Sequence, residues 1–177
     1  WTLVLRVSEH DGGIDFTHDG AGWSSEAYGN VGDVDLTDVA STNDLVSPAY
    51  GGVTGNNVMV RAALVSALYS VRTTDDFLAG TDLRTWLSLP IVVGGQRCSN
   101  AVIYMGGSPD HGTQNSLSLS SNESGDNEPS KLALRNGCSG DSETLQVGYT
   151  RAEHGDREVF SQGDHWGNLQ SVLIFVR

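Results

Sequence analysis

The clearest hydrophobic patterns lie at the two ends of the chain. Near the amino terminus the side chains alternate, with Trp1, Leu3, Leu5 and Val7 in one set and Thr2, Val4, Arg6 and Ser8 in the other. This period of two predicts a β-strand with one buried face. Residues 169–177 are almost continuously apolar, which predicts a strand buried on both faces.

The middle of the chain carries weaker patterns. Residues 58–71 are apolar on nearly every side, so periodicity does not distinguish a buried strand from a buried helix. Residues 73–78 begin with two threonines, whose hydroxyls suit the start of a short helix. Thr81 suits the start of a second short helix, which Pro90 stops.

From residue 106 to residue 130 the composition shifts to Ser, Asn, Gly, Asp and Pro. A connection of this length in a compact domain is usually functional or disordered. Within it, residues 117–120 alternate Leu and Ser, which indicates one short strand. Strands at both ends with short helices between them predict one irregular, loop-rich α+β domain over residues 1–177, whose ends meet in one sheet.

The charge of the chain excludes some classes of partner. Acidic residues outnumber basic ones 22 to 10, for a formal net charge of -12. This balance argues against nucleic acid and against an anionic membrane surface. No run approaches the roughly 18 apolar residues of a membrane-spanning helix, so we expect no membrane insertion. Because the chain begins at Trp1 without an initiator methionine, we expect a mature or excised segment.

Cys98 and Cys138 are the two cysteines, too few for a structural zinc site. We expect a disulfide between them, since closing a loop of about 40 residues contributes about 4 kcal/mol in the chain-entropy model. Such a bond indicates an exported protein. Two unpaired buried thiols are the alternative. Asn122 begins an Asn-Glu-Ser glycosylation sequon.

Common catalytic motifs such as GxSxG, HExxH and the Walker loop are absent from the sequence. We therefore expect no enzyme, although a hydrolase whose His and Asp meet only in space stays open. Calcium takes about six to eight oxygen ligands, which Asp- and Asn-rich loops supply. Residues 33–38, 110–128 and 141–164 have that composition, but each cluster alone is more typical of a solvated loop.

Four short segments, in order along the chain, give a more specific indication. They are Trp1-Thr2-Leu3-Val4-Leu5, Asp44-Leu45-Val46-Ser47-Pro48-Ala49-Tyr50, Arg72-Thr73-Thr74-Asp75-Asp76-Phe77-Leu78 and Ser171-Val172-Leu173-Ile174-Phe175-Val176-Arg177. Together they resemble the intelectins, or X-type lectins, a branch of the fibrinogen-related domains that binds exocyclic glycan diols through calcium. The resemblance implies a fibrinogen C-terminal-like, intelectin-like domain, with its N- and C-terminal strands in a central antiparallel sheet.

The resemblance also implies a set of metal ligands. After Asn100-Ala101 the chain reaches Asp110-His111, which matches an acid-His pair that joins the ligand-binding calcium in the family, and Glu123 follows at a similar distance. Cys138-Ser139-Gly140-Asp141 is similar to the family's Cys-Gly-Asp with one residue inserted. We therefore expect Asp110, His111, Glu123 and Asp141 to bind Ca2+, with His111 and Glu123 close to the sugar.

Two aromatic residues are candidates for the wall of a sugar pocket. Tyr149 ends a Val-Gly-Tyr that resembles the family's, in which the tyrosine contacts the sugar. The family has a tryptophan about nine residues earlier, where this chain has Gly140, and Trp166 is the candidate to replace it. A Gly-Asp before the final strand is similar to lectin-like relatives and implies a second, structural metal loop at Asp164.

These features predict a secreted or cell-surface domain that recognises glycans or glycoconjugates in a calcium-dependent way, without catalysis. It is expected either to form a homo-oligomer or to be part of a larger extracellular assembly. The alternative is a structural or adhesive module of an extracellular filament or surface appendage. In that case metal-stabilised loops mediate assembly and no sugar is bound.

Overall fold

The computed structural model describes residues 1–8, 14–17, 20–26, 29, 43–64, 67–74, 76–89, 92–93, 98–105, 108–122, 130–136, 143–151, 156–162 and 171–177. The strands are β1 (Thr2–Ser8), β2 (Leu45–Val46), β3 (Val58–Leu64), β4 (Ala67–Thr73), β5 (Val92–Val93), β6 (Cys98–Met105), β7 (Ser108–Asn122), β8 (Ser130–Asn136), β9 (Glu143–Arg151), β10 (Asp156–Gln162) and β11 (Ser171–Val176). Among these residues the helices are α1 (Leu83–Ser88) and two 3-10 turns, Ala21–Ser24 and Pro48–Tyr50.

The strands pair into one sheet in the order β10-β9-β8-β7-β6-β4-β3-β11-β1-β2. All of these neighbours are antiparallel, and β5 runs parallel to β7. The described part of the chain is therefore mostly β, with very little helix. The predicted sheet is confirmed, whereas the helical share of an α+β fold is small among these residues.

The two terminal strands meet, as the sequence predicts. β1 pairs with β11 antiparallel from Thr2↔Val176 to Ser8↔Ser171. All six residues of β11 are buried, which confirms the prediction for that strand. The prediction that β1 buries only one face is wrong, because every residue from Val4 to Ser8 is buried. A register shift between Leu3 and Leu5 also breaks the strict alternation.

The apolar run at residues 58–71 forms two antiparallel strands, β3 and β4, in register from Met59↔Arg72 to Leu64↔Ala67. The helix predicted over residues 73–78 is wrong. Thr73 is the last residue of β4, and its hydroxyl Oγ1 accepts a hydrogen bond of 2.9 Å from the backbone N–H of Val58. The hydroxyl that suits a helix cap thus joins two strands instead.

The second predicted helix is confirmed as α1, although its N-cap is Asp82 and not Thr81. The Asp82 carboxylate accepts hydrogen bonds of 2.8 Å from both the N–H and the hydroxyl of Thr85. A carboxylate at this position also interacts favourably with the helix dipole. Within the described ranges, no helix has the length and hydrophobicity needed to cross a membrane.

The long polar segment is mainly a strand. β7 covers residues 108–122, so the expectation of a loop with one short strand is wrong there. β6 and β8 pair with β7 on its two sides and satisfy its backbone groups. Its Leu117 and Leu119 are fully buried in the main core.

The main core packs around aromatic residues that precede and follow β2. The ring of Trp23 meets Phe16 edge to face, with centroids 5.0 Å apart, and Tyr50 donates a hydrogen bond of 3.0 Å to the carbonyl of Trp23. On the sheet side, the Trp23 ring packs against Gly148. A Cβ atom at Gly148 would lie 2.5 Å from Cζ2 of Trp23, so only glycine leaves enough space for the ring. These contacts attach the helical segments to β9.

Candidate functional site

Cys98, the first residue of β6, is disulfide-bonded. Its expected partner, Cys138, lies outside the described residues, so the pairing stays a prediction. A disulfide-bonded cysteine agrees with an oxidising compartment.

Asp110 and His111 lie in β7 beside an irregularity of the sheet. Ala101 pairs with Asn115, but Ile103, two residues further along β6, pairs with Asp110, which is five residues back along β7. β7 therefore carries three additional residues in the stretch that includes His111. Such bulges often occur beside functional sites, because they change the direction in which side chains point.

Several strand ends lie at the same end of the sheet as Asp110, which we call the Asp110 end. Asn136, the last residue of β8, pairs with Asn115 and is about 8 Å from Asp110 by strand geometry. β9 begins there, because Arg135 pairs with Glu143. β10 finishes there, since Gln162 pairs with Leu145.

Two further connections of the chain begin and end at the Asp110 end of the sheet. The β8–β9 connection contains Asp141, and the β10–β11 connection contains Asp164 and Trp166. β11 begins at Ser171, which pairs with Ser8. The strand pairing places Ser171 at the end of the sheet where β3 is followed by β4 and β6 by β7, which is the Asp110 end. Both connections therefore leave and rejoin the sheet at this end, although Asp141, Asp164 and Trp166 themselves lie outside the described residues.

Tyr149 lies at the opposite end of the sheet. It pairs with Ser130, which pairs with Ser121. The step from Ser121 to Ser118 covers three residues of β7. Ser118 pairs with Cys98, and the step from Cys98 to Ile103, which pairs with Asp110, covers five residues of β6. At about 3.3 Å per residue the separation is about 26 Å along the strands. The structure thus does not bring Tyr149 next to Asp110.

The metal ligands themselves remain a prediction. Among the residues described, no group of three or more His, Cys, Asp or Glu side chains is arranged to hold a metal ion. The backbone of Asp110 and His111 is described but not their side chains, and Glu123 lies outside the described residues. Glu123 follows Asn122, the last residue of β7, which pairs with Val93.

The carboxylate of Asp44 stabilises the fold, as that of Asp82 does at α1. Asp44 is buried, and its Oδ1 accepts hydrogen bonds of 2.8 Å from the N–H of Ser8 and 2.9 Å from its hydroxyl. These bonds hold the chain before β2 against the end of β1. Asp44 therefore contributes to the stability of the fold.

Sequence reasoning missed a group of arginines on one face of the sheet. Arg6 and Arg61 are both register partners of Leu173, and Arg72 is the partner of Met59. The only local signal is that Arg6 occupies the polar set of an alternating strand. Because these residues are far apart in sequence, only the strand order shows that they are neighbours.

Comparison with known proteins does not assign a family. No protein-family model matches the chain, and a search of curated proteins finds no match. The likeness to intelectins therefore depends on the four segments described above.

Proposed function

We propose that this chain is an extracellular, calcium-dependent carbohydrate-binding domain of the intelectin-like, fibrinogen-related type, with its site at the Asp110 end of the sheet. The observation that supports the proposal is that strand ends flanking the predicted site residues lie at that end of the sheet. Asp110 and His111 lie there, and the connections that contain Asp141 and Asp164 both leave and rejoin the sheet there.

The positions of the four intelectin-like segments support the proposed fold. The first and last segments include β1 and β11, which are paired, and the second includes β2, which also pairs with β1. In the third segment, the N–H of Leu78 donates to the carbonyl of Asn56, whose own N–H donates to the carbonyl of Arg177. Segments far apart in sequence but adjacent in space are expected of a shared fold core.

The proposed site uses oxygen and imidazole ligands. Asp110 and Asp141 would hold Ca2+ through carboxylate oxygens and His111 through a neutral ring nitrogen. Asp164 would belong to a second, structural metal loop. Bound calcium would accept two neighbouring hydroxyls of a glycan in place of water. Trp166 would cover the apolar side of the sugar. Tyr149 is left out of this site because its backbone lies at the other end of the sheet. Glu123, which lies outside the described residues, stays a predicted ligand.

A calcium titration tests this assignment. Calorimetry on chelator-treated protein should detect calcium binding that Asp110→Ala and Asp141→Ala each weaken by about tenfold or more, because each removes a charged ligand. Asp76→Ala, which removes an exposed carboxylate after β4, is the matched control and should bind as wild type. Equal affinity in all four proteins would refute the site.

Sugar binding needs a separate measurement. Wild-type protein should be retained on immobilised glycans that carry a terminal diol, and EDTA should release it. Asp110→Ala should not be retained. Retention that is unchanged by EDTA would contradict a calcium-bridged mechanism.

A structural or adhesive module of an extracellular filament or surface appendage is the second candidate. The separation of Tyr149 from Asp110 favours it, because the aromatic wall implied by the family is then missing from the site. In this case calcium would raise the melting temperature, and no sugar on a broad glycan array would retain the protein.

A further inference from the structure

The chain contains a single Asn-x-Ser/Thr triplet. Of its ten asparagines, only Asn122 is followed two residues later by serine or threonine, in Asn122-Glu123-Ser124. Such a triplet is an acceptor for N-linked glycans when its middle residue is not proline, and here that residue is glutamate. Neither Asn122 nor Ser124 is a ligand in the proposed calcium site, so the triplet has no role yet.

The structure places Asn122 where the chain leaves the sheet. Asn122 is the last residue of β7. The pairing of β7 with β8 finishes one residue earlier, at Ser121↔Ser130, and Asn122 itself pairs with Val93 of the short strand β5. In the described part of the chain, the register partner of Asn122 is therefore in β5 alone.

The connection that follows Asn122 has a composition suited to a surface segment. Residues 123–129 are Glu-Ser-Gly-Asp-Asn-Glu-Pro, a run in which proline has the only apolar side chain. Connections between strands run over the protein surface, because a buried connection would leave backbone groups without hydrogen-bond partners. An oligosaccharide attached at the start of such a connection does not have to displace a paired strand.

The simplest alternative is a triplet that arises by chance and stays unmodified. A chance triplet has no reason to avoid the interior of a paired strand, and Asn100 and Asn115 lie inside β6 and β7 without being part of one. The triplet instead begins at the residue where β7 ends. This coincidence of motif and strand end favours an acceptor over chance.

The disulfide at Cys98 indicates the compartment in which the modification takes place. Cys98 is disulfide-bonded, and disulfides form in oxidising compartments that include the lumen of the endoplasmic reticulum. N-linked glycans are added to asparagine in the same lumen of eukaryotic cells. The inference therefore rests on the extracellular location in the proposed function, but not on calcium or on sugar binding.

We propose that Asn122 carries an N-linked oligosaccharide, transferred from a lipid-linked oligosaccharide pyrophosphate. The side-chain nitrogen Nδ2 of Asn122 attacks the anomeric carbon of the first sugar. An N–C bond forms, the C–O bond to the pyrophosphate breaks, and the amide loses one proton as the lipid pyrophosphate leaves. Ser124 is required for recognition of the acceptor by the transferring enzyme.

The proposed glycan lies at the Tyr149 end of the sheet. The path to Asp110 covers four residues of β7, from Asn122 to Ser118, and five of β6, from Cys98 to Ile103. At about 3.3 Å per residue this separation is about 30 Å along the strands. A glycan at Asn122 therefore leaves the Asp110 end of the sheet uncovered.

Secretion of the chain from insect cells, behind a signal peptide, tests the inference. PNGase F should lower the mass of the wild-type protein, and mass spectrometry should find Asn122 converted to aspartate, as this enzyme does to a glycosylated asparagine. Asn122→Gln and Ser124→Ala should each lose no mass. Asn127→Gln changes an asparagine of the same connection outside the triplet, and this matched control should lose mass as the wild type does.

Two outcomes would overturn the inference. One is a wild-type protein whose mass PNGase F leaves unchanged, and the other is a loss of mass that persists in Asn122→Gln or Ser124→Ala. If a variant is not secreted, the peptide from treated wild-type protein still identifies the acceptor. These measurements involve neither calcium nor a sugar ligand, so their failure leaves the calcium proposal standing, and failure of the calcium titration leaves this inference standing.

Discussion

Gly148 and Lys131 are neighbours across β8 and β9, and both secure the segments that pack on this part of the sheet. The ammonium of Lys131, the only lysine, donates hydrogen bonds of 2.8 Å and 3.3 Å to the carbonyls of Leu87 and Leu89. These carbonyls are at the end of α1, where a positive charge is favourable. Gly148 has φ +64 and leaves room for Trp23. Neither position tolerates a residue of another shape without loss of stability.

Gly148→Ala should lower the free energy of unfolding by about 2–4 kcal/mol, from backbone strain at positive φ and from overlap with the Trp23 ring. Gly80→Ala is the matched control. Gly80 also has positive φ, but nothing lies within 4 Å of an added Cβ. Urea denaturation should therefore show a loss of only about 1–2 kcal/mol there. Equal losses would mean that the Trp23 contact is unimportant.

Tyr50 adds a dependence on pH. Burial raises the pKa of its hydroxyl, against a smaller lowering by the charge of Arg84 and a further rise from Asp82. In the unfolded chain the hydroxyl loses its proton near pH 10, while in the folded protein it stays protonated. The unfolded state then binds fewer protons, so stability falls as pH rises above about 10.

The loss from Tyr50 should approach about 1.4 kcal/mol per pH unit above pH 10. Tyr50→Phe cannot ionise, so its stability should fall less steeply, although at neutral pH it lacks the hydrogen bond to Trp23 and is weaker by about 1 kcal/mol. Guanidinium denaturation between pH 8 and pH 11.5 measures both. Parallel curves for the two proteins would contradict the assignment to Tyr50.

At the scale of elements, local capping chemistry explains α1, whereas strand pairing explains β4 and β7. α1 has six residues, too short to be stable alone, and its Asp82 cap and buried Leu83 and Leu87 hold it in place. The side chain of Thr73 is also of a type that caps helix N-termini. It belongs instead to β4, because β3 and β6 provide partners for its strand on both sides.

Asp82→Ala should destabilise the protein by about 1 kcal/mol, since the N–H of Thr85 loses its acceptor. Asp82→Asn should retain most of the stability, because an amide oxygen also caps. Asp76→Ala, in the preceding loop, should change stability by less than about 0.5 kcal/mol. Thermal and urea unfolding compare the three. A loss in Asp82→Asn as large as in Asp82→Ala would show that the negative charge, and not the cap, is needed.

At the scale of the whole molecule, strand order decides which distant residues can act together. It brings the terminal segments side by side and places the strand ends that flank residues 137–142 and 163–170 at the Asp110 end. It also separates the backbone of Tyr149 from that of Asp110 by about 26 Å along the strands. The predicted site residues Asp110 and Tyr149 therefore lie at opposite ends of the sheet.

The disulfide at Cys98 also acts on the whole molecule. If it closes the loop to Cys138, reduction should lower the free energy of unfolding by about 4 kcal/mol, through the added entropy of the unfolded chain. Urea curves with and without reductant measure the loss, and a Cys98→Ser/Cys138→Ser variant should match the reduced protein. Peptide mapping without reduction should recover a linked Cys98–Cys138 pair. Free thiols in the native protein would contradict this pairing.

Much of the fold can be predicted from the sequence, but little of the candidate site can. The terminal strands and α1 follow from apolar patterns and caps, which are local. β7 could not be predicted because its Ser, Asn and Asp residues are typical of a loop. It is a strand because β6 and β8 provide hydrogen-bond partners for its backbone groups. The Asp110–His111 pair can be recognised in the sequence. Its distance from Tyr149 depends on the register of the β6–β7, β7–β8 and β8–β9 pairs, which the sequence does not show.

The sequence by itself determined the chemistry of the chain and the elements that local interactions stabilise. These are the acid excess, the two cysteines, the terminal strands and the position of α1. Only the tertiary structure decided that residues 58–71 form two strands, that Arg6, Arg61 and Arg72 share a face of the sheet, and that Asp110 and Tyr149 lie apart. The physical reason is that strand pairing satisfies backbone groups through partners far away in sequence, which no local pattern contains.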